Sequence, residues 1–174
     1  PCLALWCGNN EVERAWTSWG WQETYGLREE DSLRLENAYK KLFHEVLPDI
    51  VNEGSDTYYL PTSPTLDEKS GDEHAWGVWF GLEDFGYYGN HGGRFVSEYG
   101  LQSLPDIHTL LEAGIEAFDD DALQFRQRSS MEWLEPGVDW WDMMHHFMSK
   151  TTGAPLTNNL VDWIFKSQWT HAEG

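Results

Sequence analysis

Two glutamates stand where apolar segments end. Glu11 closes LALWCGNNE, in which four apolar residues and Cys7 run into Gly8, Asn9 and Asn10, and Glu98 lies inside RFVSEYG, four residues after Arg94. Two carboxyl groups held about 5–5.5 Å apart suit retaining glycoside hydrolysis, one as acid/base and the other as nucleophile. Asn10 adds an amide that can hold a sugar hydroxyl. On a strand, Arg94 shares the face of Glu98 and would keep that carboxylate ionised, orienting it as a nucleophile requires. Residue types alone leave a plainer account open. Glu11 then caps an exposed turn, and Glu98 is a buried salt-bridge partner of Arg94.

Residues this far apart in sequence meet only if elements aim them. Leu3 to Cys7 reads as a short, fully buried strand. A Trp-rich segment with Trp16, Trp19 and Trp21 follows, ending near Leu27. In DSLRLENAYKKLFHEVLPDIVNE, residues Leu35, Tyr39, Leu42, Phe43, Val46 and Leu47 recur at helical spacing, with Asp31 or Ser32 as the cap and Pro48 as an end or kink. DTYYLPTSP, from Asp56, is a second strand closed by Pro61 and Pro64, and Thr65 to Asp72 is a polar loop. HAWGVWFG, His74 to Gly81, is expected as a third strand. YYGNHGG is turn-like, and RFVSEYG, Arg94 to Gly100, makes a fourth strand. A helix is expected near Pro105, and beyond about Asp119 the chain reads as helical, most clearly in DWWDMMHHFMSK and NNLVDWIFKSQWTHAE. The order is strand, helix, three strands and then helices, and the short buried strands have the brevity of parallel barrel strands, which predicts an α/β fold. In a (β/α)8 barrel the chemistry sits where strands end, which is where Glu11 and Glu98 fall.

Composition narrows the ligand. A length of 174 residues suits one domain with a real core. The formal net charge of −19 argues against nucleic acid and anionic membrane surfaces. There is no run of about 18 apolar residues and no signal-peptide layout. Cys2 and Cys7, at about 3.3 Å per residue along a strand, lie too far apart to bridge, so both are expected as free thiols. The chain holds 11 Trp, 8 Phe and 7 Tyr. Trp faces stack on the C–H faces of sugars, although core packing accounts for most of them individually. His145 and His146 are adjacent on a helix and so face different directions. No other His, Cys or acidic cluster has convincing metal-ligand spacing, and no cofactor is expected.

LALWCGNNE resembles the acid/base motif on strand 4 of β-mannosidases in glycoside hydrolase family 2. GRFVSEYGLQSLPD, residues 93 to 106, resembles the nucleophile motif on strand 7, and GDEHAWGVW, residues 71 to 79, the segment that precedes it. The resemblance implies Glu11 as general acid/base, Glu98 as nucleophile and Asn10 as the residue that binds the sugar 2-hydroxyl. Trp19 matches a Trp lining the sugar site, and His74 and Trp76 match the His and Trp that shape the same pocket. The mechanism implied is double displacement. Where relatives often carry a Tyr or His reaching toward the nucleophile, Phe80 stands here, leaving Tyr87, Tyr88, Tyr99 or Arg94 to take that part.

A complete barrel usually runs to about 250 residues. The resemblance therefore implies that residues 1–174 are part of a partial (β/α)8 TIM barrel, about half of it, strands 4 to 7. The N-terminal β-sandwich domains and the remaining strands would belong to a longer polypeptide, a reading that the absence of an initial Met favours. Expected partners are a β-mannoside oligosaccharide and the rest of that polypeptide, with self-association through exposed barrel edges. The leading function is an exo-β-mannosidase. The alternatives are an endo-β-mannosidase or other β-glycosidase of the family, and a non-catalytic Trp-rich carbohydrate-binding fragment. Compartment is left open among lysosome, periplasm or secretion, and cytoplasm.

Overall fold

The computed structural model describes residues 2–67, 69–126, 140–155 and 158–174. The chain divides into two compact units, one of Pro1–His74 with Gly92–Glu98, the other of Ala75–His91 with Tyr99–Gly174.

In the first unit, β1 (Leu5–Cys7) pairs in parallel with β2 (Tyr58–Leu60), in the register Leu5 to Tyr58, Trp6 to Tyr59 and Cys7 to Leu60. β3 (Asp72–Ala75) pairs with β4 (Phe95–Tyr99), the last residue of each belonging to the second unit. Among the described residues these are two separate two-stranded sheets, a mixed helix-and-sheet arrangement. β1 was expected to be fully buried, but Leu3 and Trp6 are exposed and Cys7 lies at the surface. An apolar run in a two-stranded sheet has only one neighbour to cover it, so hydrophobicity alone overstates burial.

Between the strands lie α1 (Val12–Ser18), α2 (Trp21–Thr24) and a long helical stretch. That stretch runs as α3 (Glu29–Lys41), a π turn over Leu42–Val46, and α4 (Leu47–Gly54). It starts earlier than the capping signal suggested. Asp31 and Ser32 sit inside the helix, and extended Arg28 precedes it with no side-chain cap. Glu29, Glu30 and Asp31 instead place negative charge in the first turn, where the helix dipole favours it, and Arg28 pairs with Glu30 at 2.6 Å and Asp31 at 3.1 Å. Pro48 neither ends nor breaks the helix. A proline crowds the carbonyl four residues before it. Here that residue is His44, inside the π turn, where the ladder is already widened.

The third strand expected over His74 to Gly81 ends at Ala75. Trp76 to Gly81 turns instead, with the Phe80 N–H donating to the Trp76 carbonyl at 2.9 Å. Trp76, Trp79 and Phe80 thus stand at helical spacing, and Val78 and Trp79 enter the core of the second unit. An apolar run of this length is ambiguous between strand and helical turn until packing decides.

The second unit is helical: α5 (Gly86–Asn90), α6 (Ile107–Glu112), α7 (Asp121–Arg126), α8 (Trp140–Thr151) and α9 (Leu160–Glu173). The expected helix near Pro105 begins at Ile107, capped by Asp106, whose carboxylate accepts the His108 N–H at 2.8 Å. Asn159 caps α9 in the same way through the Asp162 N–H at 3.0 Å. Part of the helical region expected beyond Asp119, residues 127–139, lies outside the described residues. The core gathers Trp79, Leu104, Leu123, Met143, Met144, Phe147 and Ile164, with Phe147 stacked on both Trp79 and Phe85. His146 flanks this core with its Nε2 buried and lacking a hydrogen-bond partner among the described residues.

Burial, aided by Lys150, holds the His146 imidazole below its ordinary value of 6.5, and Asp84 opposes this. Folding therefore favours the neutral ring. The stability this contributes is complete above pH 6.5 and is lost as pH falls through the folded-state value. Thermal melts at pH 7.5 and 5.5 are expected to differ less for His146→Gln than for the unmutated chain, and an unchanged difference would contradict this.

Candidate active site

The site begins where β1 and β2 run on past their ends. Gly8 N–H donates to the Leu60 carbonyl at 2.9 Å, Ser63 N–H to Asn9 at 3.0 Å, and Glu11 N–H to Ser63 at 2.8 Å. Asn10 and Ser63 form a parallel bridge beyond the strands. This extension sets Glu11 and Ser63 side by side. It needs Gly8, because a Cβ there would collide with the Pro61 carbonyl and the Tyr59 hydroxyl.

Asn9 braces the turn. Its amide donates to the Pro61 carbonyl at 2.9 Å and to the Tyr39 hydroxyl at 3.3 Å. Its oxygen accepts from the Thr62 hydroxyl at 2.8 Å and the Val12 N–H at 3.2 Å. The last bond satisfies an N–H at the start of α1. Glu11 is the residue before that helix, yet its carboxylate makes no capping bond. Glu11 also holds a left-handed backbone at φ 59°, a conformation that costs a non-glycine residue about 1–2 kcal/mol. Strain and an uncommitted carboxylate together leave the side chain for another task.

That task is set by His74 on β3, whose side chain is almost wholly buried. Its Nδ1 lies 2.7 Å from Glu11 Oε1 and 3.2 Å from Glu98 Oε2, and the three groups offer atoms all within 4.8 Å of one another. Glu98 comes from β4, whose Phe95 N–H donates at 2.9 Å to the carbonyl of Gly71, the residue before β3. On the other side of the ring, Nε2 lies 2.9 Å from Ser63 Oγ. Ser63 Oγ is 3.0 Å from Ser97 Oγ, which donates to Asp72 Oδ1 at 2.6 Å. Both ring nitrogens thus have hydrogen-bond partners, through which the trio can share protons, and the same three side chains stand close enough together to offer ligand atoms to a metal ion.

Of the expected site residues, the structure brings Glu11, Glu98 and His74 together. Asn10 is exposed and bridges Ser63 through its backbone. Trp19 is half exposed at the far end of α1, about 12 Å along the helix from Glu11 at 1.5 Å per residue. Trp76 belongs to the second unit, where it packs edge-on against Phe80 with ring centres 5.2 Å apart. The Arg94 guanidinium donates to the Lys69 carbonyl at 2.5 Å and lies along Gly71. Of the tyrosines considered in place of a hydroxyl at Phe80, Tyr87 stacks on His91 and Tyr88 accepts the Gly100 N–H at 3.1 Å. Asn9, Ser63, Ser97 and Asp72 went unnoticed in the sequence. Asparagine and serine are common in turns, and only a tertiary hydrogen bond separates these from the rest.

Cys7 reports on the same cluster. Burial pushes its thiol up, and the charges of Asp72 and Glu98 add to the effect. A nearby anion disfavours thiolate, so removing one favours it. The pH midpoint for iodoacetamide alkylation of Cys7 is expected to lie above 9.0, the ordinary thiol value here, and to fall part of the way back in Glu98→Gln. A midpoint indifferent to Glu98→Gln would place Glu98 away from Cys7.

No protein-family model matches the chain. Among curated proteins it is similar to Beta-mannosidase B of Neosartorya fischeri, 32% identical over 119 residues, and to Beta-mannosidase B of Aspergillus clavatus, 33% identical over 121 residues. Each match covers 63% of this chain and 14% of the relative. Beta-mannosidase B of Thermothelomyces thermophilus is 30% identical over 141 residues, covering 76% of this chain and 16% of that protein. The resemblance to β-mannosidases drawn from the motifs therefore holds over most of the chain, and the chain spans 14–16% of the length of these relatives.

Proposed function

We propose that this chain is the part of a β-mannosidase that carries both catalytic carboxylates, acting on terminal β-D-mannose by retaining double displacement. The observation that carries the reading is the meeting of Glu11 and Glu98 at one buried imidazole, with ligand atoms within 4.8 Å. A spacing this short is nearer the roughly 5–5.5 Å of retaining glycosidases than the wider gap of inverting ones, which supports the retaining reading. Glu98 attacks the anomeric carbon as Glu11 gives its proton to the departing oxygen. Glu11 then takes a proton from water, which displaces the sugar from Glu98. The assignments of Asn10 to the 2-hydroxyl, Trp19, His74 and Trp76 to the sugar pocket, and Arg94 to orienting Glu98 belong to the same proposal.

The relatives' length supports placing the chain in a longer polypeptide, and the order of the three motifs supports reading it as strands 4 to 7 of a (β/α)8 barrel. Exposed Leu33, Leu35, Val46 and Ile50 on the long helical stretch fit a surface that other parts of that polypeptide cover. The substrate is neutral and polyhydroxylated, which suits a chain of net charge −19 that would repel anionic polymers.

Hydrolysis of a chromogenic β-D-mannoside tests the reading, with the chain alone and with the longer polypeptide. The longer polypeptide is expected to be active and the chain alone weak or inactive. Glu11→Gln should slow turnover by about 10²–10⁴-fold, the span of general acid/base catalysis. Glu98→Gln should abolish it. Full activity in either variant, or no mannoside hydrolysis by the longer polypeptide, overturns the proposal.

A further inference from the structure

Asp72, Ser97 and Ser63 form a chain of hydrogen bonds that reaches His74 from the side away from the glutamates, and its direction is fixed at one end. A carboxyl oxygen without a proton only accepts hydrogen bonds, and Asp72 Oδ1 is one whether the group is charged or carries a proton on Oδ2, which is buried without a partner among the described residues. Ser97 therefore turns its single hydroxyl proton toward Asp72 Oδ1 at 2.6 Å; the Glu73 carbonyl at 3.4 Å is a much weaker competitor. Ser97 is left with lone pairs for Ser63, so Ser63 donates across the 3.0 Å contact. Ser63 has then used its own proton and must accept from His74, across 2.9 Å. Nε2 of His74 carries a hydrogen. The opposite polarity would set Ser97 and Asp72 oxygens 2.6 Å apart with no proton between them.

The consequence falls on Nδ1. With Nε2 protonated, Nδ1 faces Glu11 at 2.7 Å and Glu98 at 3.2 Å. A bare nitrogen against two carboxylates has no hydrogen to share, so one proton must lie between Nδ1 and Glu11. Whether it rests on the ring or on Glu11 Oε1, the count is the same. We propose that Asp72, Ser97 and Ser63 are positioning residues that hold His74 with Nε2 protonated, and so store beside Glu11 the proton it delivers to the leaving oxygen. The relay rests on the functional reading above for its purpose, though not for its existence. The proton ledger closes over a cycle: the stored proton leaves with the alcohol, and the proton taken from water replaces it. The titratable groups facing His74 and its relay are Glu11 from the start of α1, Glu98 from β4, Asp72 from β3 and Cys7 from β1.

Nitrogen NMR of the histidine-labelled chain, without substrate, reads the relay directly. His74 is assigned by its loss in His74→Gln. In the unmutated chain at neutral pH, Nε2 is expected to give the resonance of a protonated ring nitrogen. In Ser97→Ala, Ser63 is free to donate to Nε2, and that signature is expected to weaken or vanish. Ser97→Thr, which keeps the hydroxyl, should restore it. Nε2 unprotonated in the unmutated chain, or unmoved by Ser97→Ala, overturns the relay. Because no sugar is present, failure of the relay is distinguishable from failure of the mannosidase reading.

Discussion

Two carboxylates whose oxygens approach within 4.8 Å of each other repel unless positive charge or a shared proton stands among them. In the proposed relay His74 meets that requirement, and much of the first unit can be understood as the means of putting it there. The ring is buried, so its position is set by packing and its nitrogens must find partners. Glu11 and Glu98 satisfy one nitrogen and Ser63 the other. Were Glu11 moved to a conventional structural role, such as a helix cap, Nδ1 would keep only the longer 3.2 Å contact with Glu98.

The local architecture answers to the same constraint. Glu11 is released from capping α1 because Asn9 takes the Val12 N–H, and it is turned toward His74 by a left-handed backbone. Asn9 can do this because Gly8 lets the chain pass close to Pro61 and Tyr59. The parallel extension of β1 and β2 sets Ser63 beside Glu11, where the same serine reaches both His74 and Ser97. A few short strands thereby align donors and acceptors that lie far apart in the chain, which is the way preorganised sites avoid reorganisation at the moment of reaction.

Much of this was legible in the sequence, and the gaps have physical causes. Glu11 and Glu98 stood out because each follows an apolar run at a strand end, and His74 because of the motif around it. β2, β4 and the helices near Pro105 and at the C-terminal end carry clear periodicity or turn signals. Burial of β1 was overstated because an apolar strand says nothing of how many neighbours it has. The third strand was drawn too long because Trp76, Val78, Trp79 and Phe80 suit a strand and a helical turn equally. Asp31 resembled a cap but serves the first turn, since Arg28 gives the helix an earlier start. Asn9, Ser63, Ser97 and Asp72 could not be read at all, because the direction of a hydrogen bond is a tertiary property without a sequence pattern.

The measurement that bears most directly on the central claim is covalent trapping with 2-deoxy-2-fluoro-β-D-mannosyl fluoride, applied to the longer polypeptide and followed by peptide mass analysis. The fluorine slows both steps and the fluoride leaving group restores the first, so a retaining enzyme accumulates its glycosyl intermediate. The account predicts one added deoxyfluoromannosyl group on the peptide that contains Glu98, and none in Glu98→Gln. A label on another carboxylate, or mannoside hydrolysis with no label at all, would contradict it.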